Sequence, residues 1–281
     1  MERIRIAPTY DAKWLEIERP QPLVDNHIES LIAKVIKGGV FTDITDQVYT
    51  DFKTEMHTWL SMSTLNSFTG LEHFQRIDII NGCTQYIDNI YIDGPAQTIE
   101  GDYRYHQRLN KPCSVIGSLA PNVPLIIALP FPRVGQVHEQ METILNECLE
   151  KNIPVHIDGA WITCCRDIEF DFNHTAIHSV GISLSKGLGL GWNRIGIRYS
   201  RNDAPNSVTI MNDFHMNNRA LSMIGLYFLR NLPPDYLWNK YSSSYYKICT
   251  DFNLTPTKSI HLALRDGQPV GLSPLIRFLN E

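Results

Sequence analysis

Three short stretches of the chain, VPLIIALPFP at 123–132, IPVHID at 153–158 and IHSVGISL at 177–184, are apolar almost without interruption. A strand with one wet face alternates apolar and polar residues, whereas an unbroken run belongs to a strand buried on both faces. Between the first two runs, Val137, Met141, Ile144, Leu145 and Leu149 recur at spacings of 3 and 4, which predicts a helix over 136–151. IDII at 77–80, followed by helix-spaced Ile87, Ile90 and Tyr91, repeats the strand-to-helix order, and NRIGIRYS at 193–200 reads as another strand. The order predicts an open α/β sheet with helices on both faces, in which chemistry collects beyond the strand ends. Gly82, Asp158 and Lys186 all fall at or just past such ends.

The remaining segments frame this sheet. Residues 1–22 read as an extended arm, and Asp25 opens a helix that stops at Gly38–Gly39. A helix is expected around FKTEMHTWLSMSTL within 52–76, a strand over AQTIEGDYRY, and a long helix through HMNNRALSMIGLYFLRNL that ends at Pro233–Pro234. An aromatic helix near DYLWNKYSSSYYKICTDF follows, with IHLALRD and LIRFL as short strands. This divides the chain into an arm and helix at 1–45, a large domain at 46–232 and a reduced C-terminal domain at 233–281.

A formal charge of -5, with no basic block, argues against a nucleic-acid partner. The apolar run at 123–129 is far shorter than the roughly 20 residues that span a bilayer. The first residues lack an apolar signal core, so a cytoplasmic location without membrane association is expected. The six cysteines form no CxxC pair and read as free thiols, and the ten histidines lack metal-ligand spacing, so no metal is expected.

Asp158 closes an apolar strand, where a carboxylate needs a partner. Alone, it reads equally as a cap for the next helix. Lys186, in SLSKGLGLGWNRIG, reads alone as a solvated loop cation, but buried near other cations such an amine becomes a nucleophile and a base. Ser183 and Ser185 place hydroxyls beside it, Arg194 stands eight residues on with a guanidinium suited to a phosphate, and Gly187, Gly189 and Gly191 leave room to fold round a ligand. An acid, an amine and a phosphate-binding cation are the set that pyridoxal 5'-phosphate (PLP) requires.

Together, Asp158, the Ser183–Leu184–Ser185–Lys186 run, Arg194 and Gly196 resemble the signature of fold-type I PLP-dependent enzymes, most of all the class I/II aminotransferases. The resemblance implies a three-layer PLP-transferase-like α/β fold with a central, mostly parallel sheet and a reduced small domain. It implies PLP held on Lys186 as an internal aldimine, with Asp158 on the ring nitrogen and Arg194 on the phosphate. It places Gly82, Cys83 and Thr84 at the phosphate turn, Tyr103 over the cofactor, and a C-terminal arginine on the substrate carboxylate, with Arg277 preferred to Arg265. Its partners would be an amino acid or amine, a keto acid, and a second copy of the chain in a homodimer.

Two departures stand out. Where the family has an asparagine for the cofactor's phenolic oxygen, LPFPRVG places Pro132, which donates nothing; where it has a tyrosine, DGAW places Trp161, which donates one N–H and accepts nothing. His156–Ile157–Asp158–Gly159–Ala160 also resembles the HxDxA motif of PLP-dependent decarboxylases. The readings are therefore an aminotransferase acting through Lys186; a decarboxylase, racemase or lyase working at the same carbon; and a catalytically degenerate scaffold of the same fold.

Overall fold

The computed structural model describes residues 6–17, 20–38, 45–109 and 113–281. Residues 1–5 and 18–19 of the expected arm, and Gly39 of the expected Gly38–Gly39 stop, lie outside the described residues. In chain order the strands are β1 (Ser67–Thr69), β2 (Arg76–Ile80), β3 (Leu125–Ala128), β4 (Val155–Gly159), β5 (Glu169–Asp171), β6 (Ile177–Ser183), β7 (Gly196–Ser200), β8 (Thr255–Pro256), β9 (Leu262–Arg265) and β10 (Gln268–Gly271). The helices are α1 (Asn26–Lys37), α2 (Gln47–Ser61), α3 (Cys83–Ile92), α4 (Arg104–Leu109), α5 (Met141–Glu150), α6 (Leu184–Gly187), α7 (Ser207–Asp213), α8 (Arg219–Asn231), α9 (Tyr236–Asp251) and α10 (Ser273–Asn280).

The central sheet has the order β2-β7-β6-β4-β3 and is mostly parallel, since only β7 runs against its neighbours. Every residue of β3 is buried, as the unbroken apolar run requires of a strand covered on both faces. Alternate residues serve the two faces. Ile80 and Ile126 join Tyr86, Ile87 and Val208 under α3 and α7, whereas Ile79, Leu125 and Ile127 enter the larger core that also holds Phe52 and Met56 of α2 and Ile144 and Leu145 of α5. The outcome is the three-layer α/β arrangement that the sequence predicts.

The ends of the chain are tied to this body. Asp25 caps α1 by accepting from Ile28 N–H at 2.8 Å, and its buried carboxylate also meets Lys240 at 2.5 Å and the Tyr241 hydroxyl on α9. An antiparallel sheet of order β10-β9-β8 closes the C-terminal part. Glu16 bridges to Gly271 at the end of β10 and so joins the arm to that sheet.

Four expectations need correction. The long helix expected through HMNNRALSMIGLYFLRNL starts only at Arg219, because Asn218 caps it by accepting from Leu221 N–H at 3.1 Å, and residues 214–218 separate it from α7. AQTIEGDYRY is not a continuous strand: Gln97 and Ile99 make isolated bridges to Leu125 and Ser114, Gly101 turns the chain at φ 87°, and α4 follows. LIRFL is not a strand but part of α10, because Pro274 sits in the first turn and Leu275 and Ile276 bury one helical face. The helix expected over 136–151 starts only at Met141, since residues 131–136 close a turn through Phe131 N–H to the Gln136 carbonyl at 2.7 Å.

Candidate active site

At the end of β4, Asp158 lies across from Ala128 on β3 and is 3% exposed. Its Oδ1 accepts from Ala160 N–H at 3.0 Å, and its Oδ2 lies 3.1 Å from Nε2 of His106 on α4. His106 is fully buried, and its Nδ1 lies 3.4 Å from Asp102, whose other oxygen accepts from Ala128 N–H at 3.1 Å. Burial alone would lower the imidazole pKa, but Asp102 and Asp158 outweigh it and raise the value to about 10. A charged imidazolium therefore stands between the two carboxylates and braces Asp158 from one side. Neither Asp102 nor His106 emerges from the sequence reading. Their signal, an acid and a histidine four residues apart, is hidden when AQTIEGDYRY, which ends one residue before His106, is taken for a strand.

The turn after β2 builds a second part. Gly82 caps the N-terminus of α3 at φ 76°, a backbone region that side chains disfavour, and the first amides of a helix have no partner within it. The Arg194 guanidinium crosses this turn, donating from Nε to the Asn81 carbonyl at 3.1 Å and from Nη2 to Thr84 Oγ1 at 3.0 Å. An added Cβ at Gly82 would stand 2.6 Å from Arg194 Nη2. Gly82→Ala is thus expected to cost about 1–2 kcal/mol in backbone strain, and to weaken PLP binding by moving Arg194, as a thermal melt and a PLP titration would measure. The Cys83 thiol donates to the Gly181 carbonyl at 3.4 Å, and burial, with Asp158 next, pushes its pKa well up, so it stays protonated.

Lys186 is not in an open loop but on the single turn of α6. Ser183 caps that turn, its Oγ accepting from Ser185 N–H at 3.1 Å and donating to Ser185 Oγ at 2.8 Å. The Lys186 Nζ lies 5.1 Å from the centre of the Trp161 ring and makes no hydrogen bond or ion pair among the described residues. Burial lowers its pKa first and Arg194 adds to that, against the opposing pull of Cys164, Asp158 and Glu16. The same two groups, Asp158 and Arg194, also act on Cys83. Acid, amine and guanidinium therefore lie within electrostatic reach of one another.

His261, unmarked in the sequence, is fully buried beside this lysine: its Nε2 is 3.3 Å from the Lys186 carbonyl, and its ring meets Trp161 edge-on at 4.9 Å. Beneath them, the thiols of Cys164 and Cys165 both point at the Trp161 carbonyl, at 3.0 and 3.1 Å.

Other expected residues fare differently. Tyr103 is 44% exposed and meets His106 edge-on at 5.5 Å, placing it beside the acid rather than stacked on a buried surface. Arg277 lies on α10, where it bonds Glu281 at 2.9 and 2.7 Å, which engages it at the chain's end. The residues that follow Ala128 are Leu129, Pro130, Phe131 and Pro132; none has a polar side chain, so the lack of a donor extends over the whole turn. Two surface hollows, of about 520 Å³ beside Met141 and Phe170 and about 390 Å³ beside Lys53 and His57, lie at other residues.

The residues present fit PLP. A half-buried amine without a hydrogen bond or ion pair among the described residues, a carboxylate braced by an imidazolium, and a turn opened by Gly82 under a guanidinium are the three contacts the group requires.

No protein-family model matches the chain, and no curated protein sequence matches it. Solved structures do. Alanine aminotransferase from Pyrococcus furiosus superposes with a TM-score of 0.62 at 14% identity, over 89% of this chain and 76% of that one. Histidinol-phosphate aminotransferase from Clostridium acetobutylicum gives 0.58 at 13%, over 89% and 81%. L-threonine-O-3-phosphate decarboxylase from Porphyromonas gingivalis gives 0.57 at 12%, over 84% and 80%. At these identities the likeness establishes the fold: this chain has the PLP-transferase architecture of the aminotransferases.

Proposed function

We propose that the protein is a PLP-dependent enzyme acting at the amine-bearing carbon of an amino acid or amine, and that its reaction is amino transfer. The observation that carries this reading is the half-buried amine of Lys186, which has no hydrogen bond or ion pair among the described residues and lies within electrostatic reach of both Asp158 and Arg194. PLP, when bound, supplies an aldehyde and an electron-accepting ring.

The chain's own groups supply the rest. Lys186 Nζ, held by burial toward its neutral form, is the nucleophile toward an aldehyde and then the base that takes the proton from the substrate carbon. Asp158 would accept a hydrogen bond from the ring nitrogen, and His106, 3.1 Å from its Oδ2, holds that carboxylate in place. Arg194, Thr84 and the amides at the start of α3 take the phosphate. Gly82 allows the close approach, and Ser183 with Ser185 fixes the turn carrying the lysine. The Trp161 ring faces Nζ at 5.1 Å and lines one side of the amine. A homodimer belongs to this reading.

Decarboxylation is the second reading, favoured by the His156–Asp158–Ala160 pattern and by the decarboxylase among the similar structures. In this chain, however, burial lowers the His156 pKa to about 3, and its Nδ1 lies 2.6 Å from Ser179 Oγ, so that imidazole is neutral and occupied. Incubating the PLP-loaded protein with individual amino acids, while following the visible spectrum and product masses, separates the possibilities. A keto acid is the expected product. Carbon dioxide with a residual amine would move the assignment to decarboxylase, and a protein that takes up no PLP would leave a scaffold.

A further inference from the structure

The turn that carries Lys186 cannot satisfy its own backbone. α6 is four residues long, and the last carbonyls of any helix lack a partner within it. Leu188 N–H returns to the Leu184 carbonyl at 3.1 Å, while the Lys186 carbonyl takes its hydrogen bond from His261 Nε2 at 3.3 Å. A carbonyl only accepts, so Nε2 carries a proton here. Nδ1 has no hydrogen-bond partner among the described residues, which leaves the carbonyl as the polar contact of this side chain.

The same ring makes a second contact. It meets Trp161 edge-on, with ring centres 4.9 Å apart, and Lys186 Nζ stands 5.1 Å from the centre of that indole. One imidazole therefore touches both the backbone of the lysine and the ring that its amine faces. His261 is held in turn: Leu272 N–H donates to its carbonyl at 3.0 Å, Ile260 N–H donates to the Cys164 carbonyl at 3.1 Å, and Ser259 bridges to Cys165. The fit on the other side is equally close, since an added Cβ at Gly187 would stand 2.3 Å from Thr163 Oγ1.

We propose that His261 is a positioning residue for Lys186: by bonding the lysine carbonyl and bracing Trp161, it fixes where the amine stands for the step at the substrate carbon. The inference rests on the proposed reaction at that amine. Without the bond the carbonyl is unpaired, and the turn shifts to find water for it. The amine moves with the turn, and because desolvation is the first cause of its lowered pKa, the lowering shrinks.

Two substitutions separate the bond from the bulk of the side chain. His261→Gln can place an amide N–H where Nε2 lies, whereas the side chain of His261→Asn is too short to reach the carbonyl. The test is trace acetylation of the cofactor-free protein from about pH 7 to 11, with the Lys186 peptide quantified by mass spectrometry. The unaltered protein and His261→Gln should share one amine pKa below 10.5, and His261→Asn should give a value closer to 10.5. In the PLP-loaded protein, kcat should fall about tenfold in His261→Asn with KM within about twofold, and His261→Gln should recover most of that loss. An amine pKa that is the same in all three proteins, or stability lost alike in both variants without that difference, makes His261 a merely structural residue and overturns the inference. A protein that takes up no PLP would defeat the functional reading through its spectrum, a result that the acetylation does not share.

Discussion

Lys186→Ala is expected to abolish the visible absorption of protein-bound PLP and to lower turnover by about 1,000-fold. Both effects follow from one property of the side chain: its amine is half-buried, has no hydrogen-bond partner among the described residues, and is pushed toward the neutral form by desolvation and by Arg194. The sign of the stability effect separates this reading from a structural one. Below pH 10.5 the unfolded chain takes a proton that the folded amine resists, so at neutral pH Lys186 costs folding free energy. Its removal should leave the melting temperature of the cofactor-free protein unchanged or raised, whereas a structural lysine would lower it. A variant that keeps the absorption band, or that unfolds because a needed ion pair is gone, would contradict the account.

The second large effect belongs to the Asp102–His106–Asp158 group. Asp158→Ala removes one of the two carboxylates that hold a fully buried imidazolium and is expected to destabilise the fold by about 3 kcal/mol, with loss of turnover. The pH dependence has a definite direction. Burial works against the charge, but the two carboxylates lift the His106 pKa from 6.5 to about 10 in the folded chain. Its contribution to stability is therefore complete below pH 6.5 and is lost as the pH rises through about 10. Urea midpoints measured across that window should fall for the unaltered protein and change far less in His106→Gln. Parallel curves for the two proteins would show that the imidazole is not charged in the folded state.

Spacing singled out Asp158, Lys186 and Arg194 as a set, and the family resemblance added the roles of Gly82, Cys83 and Thr84; Asp158 and the Gly82 turn stand out because each closes an apolar run. The groups that brace these residues were not legible. His106 hid in a segment whose apolar and aromatic residues imitate a strand, and only its pairing with Asp102 one helical turn earlier reveals the helix. His261 reaches the Lys186 carbonyl from 75 positions further along the chain, a contact that leaves no periodic trace. Arg277 was misplaced for the opposite reason: LIRFL reads as strand by composition, while Pro274 before it and Glu281 four residues after it mark a helix start and a helical ion pair.

The central claim is that one amine, one acid and one guanidinium meet around a single PLP. Borohydride reduction of the PLP-loaded protein, followed by proteolysis and mass spectrometry of the peptides, tests it most directly. The account predicts one pyridoxyl phosphate per chain, attached to the Nζ of Lys186. A label spread over surface lysines, or none at all after reduction, would contradict it.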